Sequence, residues 1–157
     1  MIMSPTLTLL VLLVVAFGLY AMARVRLTRR YDKIEAVRQA NHLQYAPVDR
    51  LGLAQLLADQ GELRFPGAAI AVEARRVAVT DVLYARQGEL RFFVARVCES
   101  GRPCSGAVVS GFEKCGKADS SSAAARLSGV EWSTPGEDEL SAFGRLASRF
   151  SNHPALP

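Results

Sequence analysis

Few side chains in this 157-residue chain have the types and spacing to do chemistry. Three are cysteines, Cys98, Cys104 and Cys115, and two are histidines, His42 and His153. Nucleophilic catalysis sets a thiol or hydroxyl beside a base that a third group orients. No spacing ties either histidine to a cysteine: His42 follows the N-terminal helical stretch and His153 lies in the C-terminal tail. A structural zinc site draws on close pairs of the form C-x2-4-C, and Cys98-x5-Cys104-x10-Cys115 contains none. The expectation is reduced, partly buried thiols. In an exported domain the ESGRP turn would instead let a disulfide join Cys98 to Cys104. No glycine-rich loop of the phosphate-cradling type is present. Carboxylates gather only at Glu137, Asp138 and Glu139, where the first turn of a helix accounts for them. The reading is therefore no enzyme, no cofactor and no metal.

Arginine is the other chemically active residue. Arg75, Arg76, Arg86, Arg91 and Arg96 run through a β-rich stretch, interleaved with Glu73, Asp81, Glu89 and Glu99. That mixture points to charge pairing between strands rather than to a basic stripe. Arg24, Arg26, Arg29 and Arg30 are different, because they follow an apolar run at once. The first 23 residues carry no charged side chain, and Leu7 to Ala23 is broken only by Thr8, Gly18 and Tyr20. At ~1.5 Å per residue, this helix with its flanks approaches the ~30 Å hydrocarbon thickness of a bilayer.

Ala21-Met22-Ala23 has the small-x-small form of a signal-peptidase site, but nothing positive precedes the run and four arginines follow it. An uncleaved anchor is expected, in preference to a signal peptide or to a buried hairpin helix of a soluble core. Basic residues beside a span stay on the cytoplasmic side. That places the N-terminus outside and the rest of the chain in the cytoplasm, at a bacterial inner membrane. Each arginine near an anionic leaflet contributes roughly 1 kcal/mol, enough to hold the helix end at the surface without specific lipid recognition. The net charge of +4 belongs to this flank: without its four arginines, 15 basic residues face 15 acidic ones. A nucleic-acid partner is thereby set aside.

The elements that would carry these groups divide the chain into an anchor with a basic flank (1–30), a stalk helix (31–44) and a single α+β domain (45–157) with a flexible loop near 117–128. Tyr31, Ile34, Val37 and Arg38 recur at helical spacing, so the anchor helix is expected to run on to about Asn41, as a spacer or as a pairing surface. PVDRLGLAQLLADQG reads as a helix with Asp49 as N-cap and Gly61 as its left-handed stop. Three strands follow in GAAIAVEA, RRVAVTDVLYARQ and GELRFFVARVCE, the last two joined by a hairpin turn at Gly88. Leu90, Phe92 and Val94 on one face and Phe93, Ala95 and Val97 on the other predict cover on both sides of the sheet. Asp81 breaks the alternation, which predicts a bulge near Thr80. GAVVSGF and VEWS read as further strands, and Thr134, Pro135 and Glu137 as the start of a last helix whose apolar face runs from Leu140 to Phe150. The doubled QGELRF, at 60–65 and 87–92, reads as a glycine stop followed by a strand start.

The segments RQANHLQYAPVD and RFPGAAIAVEARRVAVTDVLYARQGELRFFVARV resemble uncharacterised bacterial single-pass membrane proteins, in which an anchor helix precedes a compact β-rich domain. The resemblance implies that architecture and no site residues. Type IV pilins and pseudopilins are similar in having an apolar helix that continues into a stalk and a sheet. Their basic leader, Gly-Phe junction and early helical glutamate are missing here. The expected function is a membrane-tethered module that binds a protein or the membrane surface, of undefined oligomeric state. The alternative is an exported envelope or pilin-like structural component.

Overall fold

The computed structural model describes residues 5–61, 63, 76–99, 106–114 and 126–151. The strand expected at 67–74, most of the loop near 117–128, Cys104, Cys115 and His153 lie outside these residues. The chain forms two compact units, Met1–Glu35 and Ala36–Pro157.

The first element, α1, is one unbroken helix from Pro5 to Ala40. His42 stops it, taking the left-handed conformation (φ 52°) that glycine usually supplies. The Leu43 amide donates to the Arg38 carbonyl at 2.9 Å and the His42 amide to Gln39 at 3.3 Å. Those two bonds make a Schellman cap, so this histidine is part of the backbone stop.

The rest is an α+β domain, as the pattern of elements predicts: β1 (Gln44–Val48), α2 (Leu53–Asp59), β2 (Val77–Gln87), β3 (Leu90–Glu99), β4 (Ala107–Lys114), β5 (Arg126–Trp132) and α3 (Glu139–Ser151). The five strands lie in chain order, each antiparallel to the next. Strand β1 is a finding beyond the sequence reading. Its alternation is masked by Ala46 and Pro47, and a proline is tolerated because β1 is outermost among the described strands. At the opposite margin, the amide of Leu127 on β5 donates to the Gln60 side chain at 2.9 Å. Strand β5 also starts before VEWS, at Arg126.

Helix α2 has the expected acidic cap, reached differently. Gly52 (φ 69°) occupies the N-cap position, and Asp49 reaches over it to accept from the amides of Leu53 (2.9 Å) and Ala54 (3.0 Å). Gly61 (φ 68°) and Gly88 (φ 60°) provide the left-handed turns expected of both QGELRF copies.

The predicted bulge lies in β2. Between Thr80↔Arg96 and Leu83↔Val94 the register shifts, with Asp81 (φ 52°) as the extra residue. This shift returns Val82 to the face of Val77 and Val79, in a core with Phe93, Ala95 and Val97 of β3 and Leu53 and Leu57 of α2. The other face of β3 is closed by α3. Phe92 packs on Phe112 of β4 (centroids 5.2 Å apart) and on Phe150 (5.3 Å), and Ala142, Phe143, Leu146 and Ala147 are buried. Two-sided cover is thus the organising feature of the sheet, and each buried Leu or Phe contributes about 1.5–3 kcal/mol.

Helix α3 begins later than Thr134-Pro135 implies. Gly136 (φ 82°) interrupts helical geometry, so the Thr134 amide donating to Glu137 at 3.0 Å closes a turn ahead of the helix. Asp138 is the functional cap: its carboxylate accepts from the Ser141 amide at 3.0 Å and from the Ser141 hydroxyl at 3.1 Å.

Candidate functional site

The four arginines singled out by the sequence, Arg24, Arg26, Arg29 and Arg30, all lie on α1 just after its apolar stretch. Helix continuity holds them within about 9 Å along the axis. The Thr28 hydroxyl donates to the Arg24 carbonyl at 3.0 Å, so the polar section starts without breaking the helix. Before it, none of the apolar span is buried, and Phe17 is 73% exposed. A core helix of a soluble protein would cover such side chains. A long apolar helix ahead of a small antiparallel sheet packed by helices is the architecture of a membrane-anchored small domain.

Among the described residues of the domain, the groups that could do chemistry are dispersed. His42 serves in the cap of α1, and Cys98 is buried in β3. No group of three or more His, Cys, Asp or Glu side chains positioned to hold a metal occurs among the described residues. Two arginines of the sheet pair with acids brought from other elements. Arg91 meets Glu113 directly across β3 and β4 at 2.9 Å, and Arg96 meets Glu139 of α3 at 3.0 Å. Both acids come from elements that lie far along the chain, which local charge patterning does not reveal.

A polar pair that sequence reasoning missed joins β1 to the bulge. The Tyr45 hydroxyl donates to the buried Asp81 carboxylate at 2.8 Å. Aspartate tolerates the left-handed conformation better than most residues. Asp81 therefore does two things: it permits the bulge and gives the outermost strand a side-chain anchor. The broken alternation at Asp81 signalled the bulge; only the unrecognised strand β1 could have signalled its partner.

Among the described residues, a cluster of ion pairs joins α3 to β5. Arg145 donates to both carboxylate oxygens of Glu137, at 2.9 and 3.0 Å, and pairs with Glu131. Arg149 meets Glu131 at 2.9 Å and donates to the Gly129 carbonyl at 3.1 Å. The Arg145 guanidinium, with the Thr134 amide, lowers the Glu137 carboxyl to about 2, and its bonds to Glu137 and then Glu131 hold the Arg145 proton more firmly. Glu137 is thus a bridge from the turn to α3, outside the helix's first turn, while Asp138 and Glu139 occupy its start. This network ties α3 to the margin of the sheet.

No protein-family model matches the chain, and comparisons with curated proteins and with solved structures give no match.

Proposed function

We propose that the chain is a single-pass membrane-tethered module, its small domain held on the cytoplasmic side of a bacterial inner membrane. There it acts by binding a protein or the membrane surface and not as an enzyme. The observation that carries this reading is α1: an apolar span with no buried residue, followed at once by four arginines. Orientation follows from the arginines, since basic flanks are retained on the cytoplasmic face. A binding role fits a domain whose described polar clusters are engaged in caps, bulges and inter-element ion pairs.

The test is protease access to a C-terminal tag in spheroplasts of a bacterial host. Protection of the tag, with digestion only after lysis, is the expected result. Digestion in intact spheroplasts would reverse the orientation and make an exported envelope component the better reading.

A further inference from the structure

The cations that follow the span are not spread evenly around α1. At about 100° per residue, Arg26, Arg29, Arg30 and Lys33 fall within an arc of roughly 100°. Asp32 and Glu35, the nearest acids, lie about 110° and 170° from the centre of that arc, and Arg24 lies on the opposite side. Arg26, Arg29 and Lys33 are exposed, and none of them forms an ion pair among the described residues.

This stripe consists of like charges at i,i+3 and i,i+4 spacings: Arg26 with Arg29 and Arg30, Arg29 with Lys33, Arg30 with Lys33. Such neighbours repel and weaken an isolated helix in water. Oriented anions along the same face reverse the sign. The stripe covers about 10 Å of helix axis, starting where the apolar stretch ends, which matches the headgroup layer and the first Debye length beyond it.

We propose that Arg26, Arg29, Arg30 and Lys33 form a one-sided docking face for anionic phospholipid headgroups in the leaflet at the arginine end of α1. The occupant follows from two observations: the face continues directly from the membrane span, and its charge is complementary to headgroup phosphate. The exposed guanidinium groups of Arg26 and Arg29 offer paired N–H donors for phosphate oxygens, and Lys33 adds a point charge at the outer edge. With acids on the far side of the helix, bound anionic lipid is confined to one flank. The inference rests on α1 spanning the bilayer but not on which compartment holds the domain.

The test uses the full-length chain reconstituted into phosphatidylcholine bilayers. Trace spin-labelled phosphatidylglycerol or phosphatidylcholine reports which lipid becomes motionally restricted at the protein. The expected result is a preference for phosphatidylglycerol several times greater than the roughly fivefold that a single cation contributes near an anionic surface. It should fall as salt rises to about 0.5 M. It should fall to about that single-cation level in the R26Q/R29Q/R30Q/K33Q variant, which keeps Arg24, and stay close to the wild-type value in R24Q, which keeps the stripe.

Equal restriction of the two lipids by an inserted protein would overturn the docking face and leave the anchor intact. A preference that the fourfold substitution leaves undiminished would also overturn it. If the chain restricted neither lipid and were extracted by alkaline carbonate, the anchor itself would fail and the docking face with it.

Discussion

Phe17 and Phe93 both sit in strongly apolar stretches, yet Phe17 is 73% exposed on α1 and Phe93 is fully buried in β3. Among the described residues, every exposed large apolar side chain except Val48 belongs to α1. The domain hides its apolar residues in protein, using α2 on one face of the sheet and α3 on the other. The helix α1 leaves its own uncovered, a condition that hydrocarbon satisfies and water does not. The two stretches therefore use the same residue types for different solvents. Damage to one should leave the other standing.

The largest effect is expected in the domain. Phe143→Ala empties a fully buried position on α3 and should cost about 3–5 kcal/mol. Urea unfolding followed by the fluorescence of Trp132, the single tryptophan, would measure it, while membrane fractionation stays as in the wild type. The reciprocal change, Val14→Arg, puts a charge near the middle of the span at about 2.5–3.5 kcal/mol against insertion. Carbonate extraction should release this variant, and its Trp132 unfolding curve should be unaltered. If either variant moved both readouts, the independence of the two regions would be refuted.

A smaller effect with the opposite sign is expected at His42. His42→Gly relieves a left-handed residue at the end of α1 and should stabilise the domain by about 0.5–1 kcal/mol in the same urea titration. Loss of stability would mean that the imidazole makes contributions beyond the cap. The smallest effect concerns acid. Glu137 is lowered to about 2 when folded, so its contribution is complete above its ordinary value near 4.5 and is lost as pH falls through about 2. Stability of Glu137→Gln should depend less on pH in that window. Because the pair is exposed, added salt should narrow the difference between the two proteins.

Local chemistry was legible in the sequence wherever neighbouring residues decide the outcome. The uncharged run before Arg24, the Asp49 carboxylate above α2, Gly61, Gly88 and the broken alternation at Asp81 all act within a few residues of themselves. Two-sided burial of β3 was legible too, since both of its parities are apolar. Distant partners decided the rest. Strand β1 exists because β2 pairs with it, and neither Ala46 nor Pro47 advertises a strand. The ion pairs of Arg91 with Glu113 and Arg96 with Glu139 depend on sheet register and on the docking of α3. Helix α3 starts at Glu139 because Gly136 adopts positive φ, whereas Thr134 and Pro135 locally satisfy the pattern of a helix start.

The outermost strands of the described sheet carry a consequence for proteins that share a membrane. Tethering confines copies to a plane, where their effective concentration far exceeds that of free chains. Exposed strand margins would then become nuclei for stacking between neighbours. Pro47 removes a donor from one margin and the Gln60 side chain occupies the Leu127 amide at the other. Both described margins are thereby made poorer templates for a neighbouring strand.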